Sequence, residues 1–288
     1  MKYVEDFTDY QIIDTSNGMK LEKWSNIYLL RPDPEVMWDN GNLEEIYKDK
    51  INAVYYRSNK GGGYWENKKK TPDRWQVKYR DLVFNLKQMG FKHTGLFPEQ
   101  AYNWNYIREK IEKSNREIKV LNLFAYTGGA TVASMKAGAH VTHVDSSRGM
   151  VDWAKENVRD NQLDETKVRY IVDDVIKFVK REIRRGNKYD AIIMDPPAFG
   201  RGANGEVWNI EKNLFELLDL CKEILSEKPL FVLVNSYSGL SPILLENLLK
   251  LTINKDNKGI ITSSEIGLPI EKNNLILPCG IYGRIDYE

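Results

Sequence analysis

The sequence predicts an α/β protein in which a smaller β-rich domain precedes a Rossmann-like, mostly parallel sheet of seven strands, the last one antiparallel. From residue 118 onward, apolar runs alternate with amphipathic helical patterns, and two strand-like runs without an intervening helix close the chain. Such alternation is typical of parallel sheets with right-handed crossovers. The first ninety or so residues hold short alternating runs and turn signals, which are typical of β-structure. We therefore expect two domains, 1–92 and 93–288.

The individual elements follow from the spacing of apolar residues and from the breakers between them. Trp153, Ala154 and Val158 recur at helical spacing and predict one face of a helix over 147–159. The same reasoning predicts further helices at 129–136, 175–185, 211–225 and 242–251. Strands are predicted at 10–14, 25–30, 51–57 and 81–89 in the first domain, and at 119–125, 139–144, 168–172, 189–194, 230–234, 259–268 and 275–287 in the second.

Composition narrows the class of protein. The chain is 42% hydrophobic and 29% charged, as in ordinary soluble domains. No apolar run approaches the ~18 residues of a membrane span, and the first residues contain no apolar stretch of a signal peptide. The two cysteines, Cys221 and Cys279, favour a reducing cytoplasm over a disulfide framework. The three histidines are scattered, so no metal site is expected.

Positive charge is concentrated in one segment. Residues 57–92 carry ten basic side chains against three acidic ones, while the whole chain has a net charge of only +1. A patch of this kind could face phosphate groups, although a solvated hairpin surface would give the same pattern. The residues that would grip RNA phosphates and bases are Tyr64, Trp65, Lys68, Lys69, Lys70 and Arg74.

A glycine turn follows the first strand of the second domain. Gly128 and Gly129 allow the backbone to pass close to a ligand, and the N–H groups of the next helix point to the same place. The dinucleotide fingerprint G-x-G-x-x-G is not present here, because Val132 occupies the position three after Gly129. Ligands of such sheets bind beyond the carboxyl ends of the strands, so we expect a cofactor against Phe124, Ala125, Tyr126, Thr127, Gly128 and Gly129.

Acidic residues end the next two strands. Asp145, 17 residues after Gly128 and followed by Ser146, could accept both hydroxyls of a ribose. Asp173 and Asp174 end the third strand, where Asp174 could accept from an adenine amine while the Val175 N–H meets a ring nitrogen. Each acid alone could instead cap a helix. The glycine turn is thus followed along the chain by one acid suited to bind a ribose and a second suited to bind an adenine. This order favours an adenosine-containing cofactor other than NAD.

The fourth strand ends in Asp195-Pro196-Pro197, with Phe199 shortly after. The two prolines stiffen the loop and leave its carbonyl groups available. We expect Asp195 and the two proline carbonyls to orient an acceptor atom and Phe199 to stack on a flipped base. Asp195 is also expected to border the cofactor. A rigid turn without function is the alternative.

These motifs resemble those of class I S-adenosylmethionine-dependent methyltransferases related to the large-subunit (23S) ribosomal RNA cytosine-C5 enzymes. The resemblance rests on 121–129, 144–147, 172–175, 194–199 and 236–240, and it extends upstream to 93–100. It implies S-adenosylmethionine as cofactor, with Phe97, Pro98 and Gln100 as further cofactor neighbours. Residues 1–92 resemble the middle domain of that family. No counterpart of its N-terminal PUA-type module is expected, so RNA docking would fall to the β-rich domain.

One departure from that family concerns the chemistry. The two positions at which related enzymes carry an attacking cysteine are Ala198 and Tyr237 here. Methylation of carbon 5 requires covalent attack on carbon 6, whereas a nitrogen or oxygen acceptor needs only alignment and loss of a proton. The sequence therefore predicts direct methyl transfer to RNA, in particular ribosomal RNA, with Tyr237 hydrogen-bonded to a base edge. Methylation of a small molecule or protein, and nucleotide binding without catalysis, remain the alternatives.

Overall fold

The structure is a computed structural model that describes residues 1–58, 62–202, 205–237 and 239–287. The chain divides into two compact units. One consists of Tyr3–Ala101 and Gly267–Cys279, and the other of Met1–Lys2, Tyr102–Ile266 and Gly280–Glu288. Each unit has its own hydrophobic core.

The first unit is β-rich, as predicted. Its main sheet contains β1 (Tyr10–Ser16), β2 (Met19–Trp24), β3 (Ile27–Pro32), β4 (Ala53–Arg57) and β5 (Gly63–Asn67) in that order. The pairing of β3 with β4 is parallel and the other pairings are antiparallel. The short helix α1 (Leu43–Ile46) lies between β3 and β4 in the chain, and the hairpin of β6 (Trp75–Tyr79) and β7 (Leu82–Leu86) follows β5. The alternation that predicted β7 is confirmed, since Leu82, Phe84 and Leu86 are fully buried.

Most of α2 (Ala101–Lys113), which the sequence reasoning missed, belongs to the second unit, and alternating strands and helices follow it in the chain. These are β8 (Lys119–Leu123), α3 (Gly129–Lys136), β9 (His140–Asp145), α4 (Arg148–Asp160), β10 (Val168–Val172), α5 (Val175–Arg185), β11 (Ala191–Met194), β12 (Phe199–Arg201), β13 (Val207–Asn209), α6 (Ile210–Lys222), β14 (Phe231–Ser236), α7 (Pro242–Leu251), β15 (Ile260–Pro269) and β16 (Ile276–Asp286). The sequence did not indicate the hairpin of β12 and β13 either, because three-residue strands carry too little pattern.

The seven-stranded sheet has the order β10-β9-β8-β11-β14-β16-β15. The strands from β10 to β14 pair in parallel, and the last strand of the chain, β16, pairs antiparallel with β14. The predicted fold is therefore confirmed, including the antiparallel last strand. The strand order reverses between β8 and β11, and ligands of open α/β sheets bind at such a switch point.

The described residues include no helix that is long and apolar enough to span a membrane.

A buried ion pair stabilises the β-rich unit. Glu22 lies on β2 with no solvent exposure, and its carboxylate accepts hydrogen bonds from the Arg31 guanidinium at 2.5 and 2.8 Å and from the Tyr10 hydroxyl at 2.7 Å. Burial alone would raise the pKa of Glu22, but the charges of Arg31 and Lys20 outweigh it and lower the pKa to about 2. The carboxylate is thus held in its charged form by its partners.

Replacing Arg31 with methionine should lower the free energy of unfolding by up to about 3–5 kcal/mol, because the buried Glu22 carboxylate would lose its two hydrogen bonds from Arg31 and keep only Lys20, 3.6 Å away, as a cationic partner. Denaturation followed by tryptophan fluorescence measures this loss, and the double variant Glu22→Gln/Arg31→Met should lose clearly less. Since the folded pKa lies below the unfolded one, the contribution of Glu22 is present at neutral pH and disappears as pH falls toward about 2. Equal losses in the single and double variants would contradict this account.

Candidate active site

The glycine turn after β8 has a backbone that few residues adopt. Phe124 and Tyr126 have φ of +52° and +51°, and Gly128 has φ of +85°. A Cβ atom on Gly128 would lie 3.0 Å from the Ala154 Cβ, and one on Gly129 would lie 3.0 Å from the Trp104 ring. A side chain at either position would therefore press on its neighbour, and at Gly128 it would also be strained by the left-handed backbone. Residues held in such backbone conformations are concentrated at ligand sites.

Buried hydrogen bonds connect the strands and helix around this turn. The Asn122 amide on β8 donates to the Thr131 hydroxyl on α3 at 3.0 Å, and that hydroxyl is hydrogen-bonded to Nδ1 of His143 on β9 at 2.9 Å. Burial lowers the pKa of His143 to about 3, so its ring is neutral at physiological pH. These bonds tie the start of α3 to the two strands and fix the position of the turn.

Asp145 binds the turn from the neighbouring strand. One carboxylate oxygen accepts from the backbone N–H of Tyr126 at 2.9 Å, and the other accepts from that of Ser147 at 2.8 Å. Burial raises the pKa of Asp145 and the two N–H donors oppose the shift. Each oxygen of an ionised carboxylate has a second lone pair, so two acceptor positions remain for a ribose. Ser146, the next residue, is exposed.

The two acids after β10 have structural partners. Asp174 caps α5, because its carboxylate accepts from the backbone N–H of Lys177 at 2.9 Å. The capping alternative is thus confirmed for Asp174. Asp173 accepts from the Asp174 N–H at 2.9 Å and forms an ion pair with Arg181 at 2.6 Å. The N–H of Val175 is at the first position of α5, where helix N–H groups lack intrahelical partners. Roles of these three residues toward adenine stay predictions.

Asp195 follows β11 and differs from the other acids of this edge. Within the described ranges, no hydrogen bond or ion pair engages its carboxylate. Burial raises the pKa of Asp195 to about 6. An acid with this pKa is mostly ionised at neutral pH and can accept a proton, as a general base must.

Trp208 on β13 is hydrogen-bonded to the loop that follows Asp195. The Trp208 indole N–H donates to the Pro197 carbonyl at 2.7 Å, and its ring packs edge-on against Phe124 at 4.7 Å. The Pro197 carbonyl therefore already accepts one hydrogen bond and keeps a second lone pair. Orientation of an acceptor by the two proline carbonyls stays a prediction. Sequence reasoning missed Trp208, although it lies only 13 residues after Asp195 and its indole N–H, when buried, needs a partner.

The two aromatic residues of the second unit that are predicted to contact a base lie at the surface. Phe199 is 55% exposed at the start of β12, and Tyr237, directly after β14, is 45% exposed. Neither cysteine is comparably placed, since Cys221 and Cys279 are both buried and burial raises the pKa of both thiols.

The remaining predicted site residues belong to the β-rich unit. Pro98 and Gln100 form a 3-10 turn after Phe97, whose ring lies 5.3 Å from the His93 ring. Their contact with a cofactor stays a prediction. No group of side chains suited to a metal ion occurs in the part of the chain that the structure describes.

The predicted RNA-binding side chains are not equivalent. Lys68 pairs with Glu44 at 2.9 Å and with Glu66 at 2.7 Å. The Lys69 ammonium donates to the Asp49 carbonyl. Lys70 is exposed and has no ionic partner among the described residues. The other members of the set are Tyr64, 60% exposed, Trp65, whose indole N–H donates to the Met89 carbonyl at 2.9 Å, and Arg74, which is exposed.

Comparison with known proteins agrees with this geometry. The family model of the S-adenosylmethionine-dependent methyltransferases matches residues 31–241. A crystal structure of a SAM-dependent methyltransferase from Agrobacterium tumefaciens is 32% identical with a TM-score of 0.93, and the match covers 99% of this chain and 93% of that one. A chain solved in complex with SAH has the same fold, with a TM-score of 0.71 at 20% identity over 98% of this chain and 76% of that one.

Two curated relatives are ribosomal RNA large subunit methyltransferases. The K/L enzyme of Syntrophotalea carbinolica is 29% identical over 209 residues, which cover 69% of this chain and 28% of that protein. Enzyme I of Salmonella arizonae is 40% identical over 111 residues, which cover 38% of this chain and 27% of that protein. The matched regions thus span less than a third of either relative. The glycine turn, the acidic strand ends and the family match together show that the chain belongs to the S-adenosylmethionine-dependent methyltransferase family.

Proposed function

We propose that this enzyme methylates RNA, in the first instance ribosomal RNA, at a nitrogen or oxygen atom and by direct transfer. The curated relatives support the substrate class, because both act on ribosomal RNA. The observation that supports direct transfer is that both cysteines are buried, while the carboxylate of Asp195 has no hydrogen bond or ion pair among the described residues. A covalent mechanism needs an accessible thiolate, and the described site offers a base instead.

The residues of the second unit fit the cofactor. Gly128 and Gly129 allow the turn to pack closely against Ala154 and Trp104, and Asp145 keeps acceptor positions for ribose hydroxyls. S-adenosylmethionine supplies a methyl group on a sulfonium, which a nucleophile attacks without further activation of the carbon. The task left to the protein is to align the acceptor and to remove its proton. We propose that the Asp195 carboxylate takes the proton of the acceptor atom and that Phe199 stacks on the acceptor base.

The substrate class is tested by methyl transfer from tritiated S-adenosylmethionine into cell fractions of a strain lacking the gene. We expect label in the ribosomal RNA fraction, and nucleoside mass spectrometry should place it on a nitrogen or oxygen atom. Label confined to protein or to small molecules would contradict the RNA assignment and leave the methyltransferase activity intact.

Replacing Asp145 with alanine should weaken binding of S-adenosylmethionine by about 1.5–3 kcal/mol, the value of hydrogen bonds to a charged group. Isothermal calorimetry measures the change. The matched control is Asp152→Ala, which removes an exposed acid of α4 that pairs with Lys155 and should leave the affinity unchanged. Unchanged affinity in a folded Asp145→Ala protein would rule out the ribose assignment.

Replacing Asp195 with alanine should lower kcat by about 100-fold or more and change cofactor affinity by less than about twofold. In the parent enzyme, kcat/KM should fall as pH drops below about 6, because burial raises the pKa of Asp195 to that value and only the carboxylate accepts a proton. Steady-state kinetics from pH 5 to 8, together with calorimetry, measures both quantities. Parallel losses of kcat and cofactor affinity would make Asp195 a cofactor residue.

Lys70→Ala should flatten the dependence of RNA binding on log salt concentration by about 0.7–0.9 units, the share of one phosphate contact. Lys68→Ala is the matched control and should change the slope less, because Glu44 and Glu66 already neutralise Lys68. Fluorescence anisotropy at several salt concentrations gives both slopes. Identical slopes in the parent and Lys70→Ala would assign Lys70 to plain surface.

No covalent adduct should form with RNA that contains 5-fluorocytidine, because Ala198 and Tyr237 occupy the positions of the attacking thiols and both cysteines are buried. The measurement is a denaturing gel of enzyme, labelled RNA and S-adenosylmethionine. A stable protein–RNA band that disappears in Cys221→Ser or Cys279→Ser would overturn direct transfer.

A further inference from the structure

Two side chains stand next to each other at the end of the central strands. Met194, the last residue of β11, is in register with Val234 on β14. Continuing this parallel register by one residue places Asp195, just after β11, beside Asn235 on β14. Such strands lie about 4.8 Å apart, and residues in register point to the same face of the sheet. Asn235 is 4% exposed and is therefore a buried amide beside the proposed base.

A buried arginine lies on the same face. Arg284 on β16 is in register with Leu233 of β14 and is 6% exposed. Its guanidinium carbon lies 4.8, 3.9 and 4.1 Å from the ring centres of Tyr102, Tyr106 and Tyr282. Within the described ranges no carboxylate forms an ion pair with Arg284. The positive charge of Arg284 is thus stabilised by the faces of three aromatic rings and by a hydrogen bond from its Nη2 to Oδ1 of Asn103 at 2.6 Å.

This hydrogen bond determines how two amides are oriented. Arginine can only donate, so the oxygen of the Asn103 amide must face Arg284, and its Nδ2 group must face the other way. Asn103 Nδ2 donates to Oδ1 of Asn235 at 2.8 Å. The oxygen of Asn235 is therefore directed to Asn103, and the Nδ2 group of Asn235 is directed away from it. None of the hydrogen bonds of Asn235 to the described residues uses Nδ2.

We propose that Asn235 is a further acceptor-binding residue that donates from Nδ2 to the methyl acceptor, and that Arg284 and Asn103 are positioning residues that fix this polarity. Beside Asn235, the ionised Asp195 can only accept. A donor next to an acceptor matches a nucleobase edge on which an N–H group adjoins a carbonyl oxygen or ring nitrogen. The inference rests on the proposed function, since it assumes that the acceptor is a nucleobase.

A purely structural role explains the arrangement less well. Burial of an arginine is costly, and an apolar side chain could pack between the three tyrosine rings. The donor-only guanidinium contributes what an apolar residue cannot, because it prevents the two amides from rotating together by half a turn. In the rotated arrangement Asn235 would present its oxygen beside Asp195, and two acceptors would then repel the carbonyl or ring nitrogen of the base.

Four variants separate the two roles. Asn235→Asp and Asn235→Ala remove the Nδ2 donor, and the aspartate keeps the shape and the oxygen facing Asn103. The glutamine of Arg284→Gln can donate or accept a hydrogen bond, so it no longer fixes the orientation of the Asn103 and Asn235 amides. Arg284→Lys keeps a cation that can only donate and is the conservative rescue. The measurements are kcat/KM for methyl transfer to ribosomal RNA from a strain lacking the gene, and the Kd of S-adenosylmethionine.

We expect Asn235→Asp, Asn235→Ala and Arg284→Gln to lower kcat/KM for RNA by about 10–100-fold, the loss of a hydrogen bond to the acceptor, with a cofactor Kd within about twofold of the parent. Arg284→Lys should regain most of the loss seen with Arg284→Gln. Unchanged kcat/KM in both Asn235 variants, or a cofactor affinity that falls together with kcat/KM, would overturn the inference.

A second readout does not depend on RNA methylation. In the parent bound to S-adenosylhomocysteine, the NMR signals of the Asn235 side-chain amide should shift on titration with the four nucleoside 5′-monophosphates. The shift should shrink in Arg284→Gln and return in Arg284→Lys. Absence of this shift in a parent enzyme that methylates ribosomal RNA would overturn the inference alone. A shift without any methylation of RNA would uphold the inference and overturn the proposed substrate.

Discussion

The site depends on the carboxylate of Asp145, which joins three elements at the edge of the sheet. Its two oxygens accept from the N–H of Tyr126 in the glycine turn and from that of Ser147 at the start of α4. The turn carries left-handed backbone at Phe124 and Tyr126, and such conformations persist only where their surroundings fix them. The Asp145 bonds and the buried contact of Thr131 with His143 provide that restraint. A rigid turn is what a small cofactor needs, because its binding then orders little of the protein.

The chemistry follows from the different surroundings of acids at one sheet edge. Asp173 pairs with Arg181 and Asp174 caps the N-terminus of α5, so both acids have partners within the protein. Asp195 has burial without a compensating partner, and its pKa rises to about 6. This environment supports the proposed role of Asp195 as a base, because residues with shifted pKa values are concentrated at active sites.

The helices and strands were predictable where capping residues or turn glycines define their ends. Helices α3, α5 and α7 begin after Gly128, Asp174 and Ser241, and their predicted bounds agree with the structure because a glycine turn or a side-chain cap fixes each start. Helix α2 was missed, since asparagines lie among its apolar residues. Its Asn103 is hydrogen-bonded to Asn235, 132 positions later, and to Arg284, 181 positions later. Local pattern cannot reveal such a contact, nor the one between Trp208 and Pro197, because both depend on how strands are ordered in the sheet.

The most direct test of the account is a crystal structure of the enzyme with S-adenosylhomocysteine. The account predicts the ribose hydroxyls within hydrogen-bond distance of the Asp145 carboxylate, the nucleoside against the turn at Gly128, and the sulfur atom directed toward Asp195. A nucleoside bound elsewhere on the sheet edge, or a sulfur atom directed away from Asp195, would contradict it.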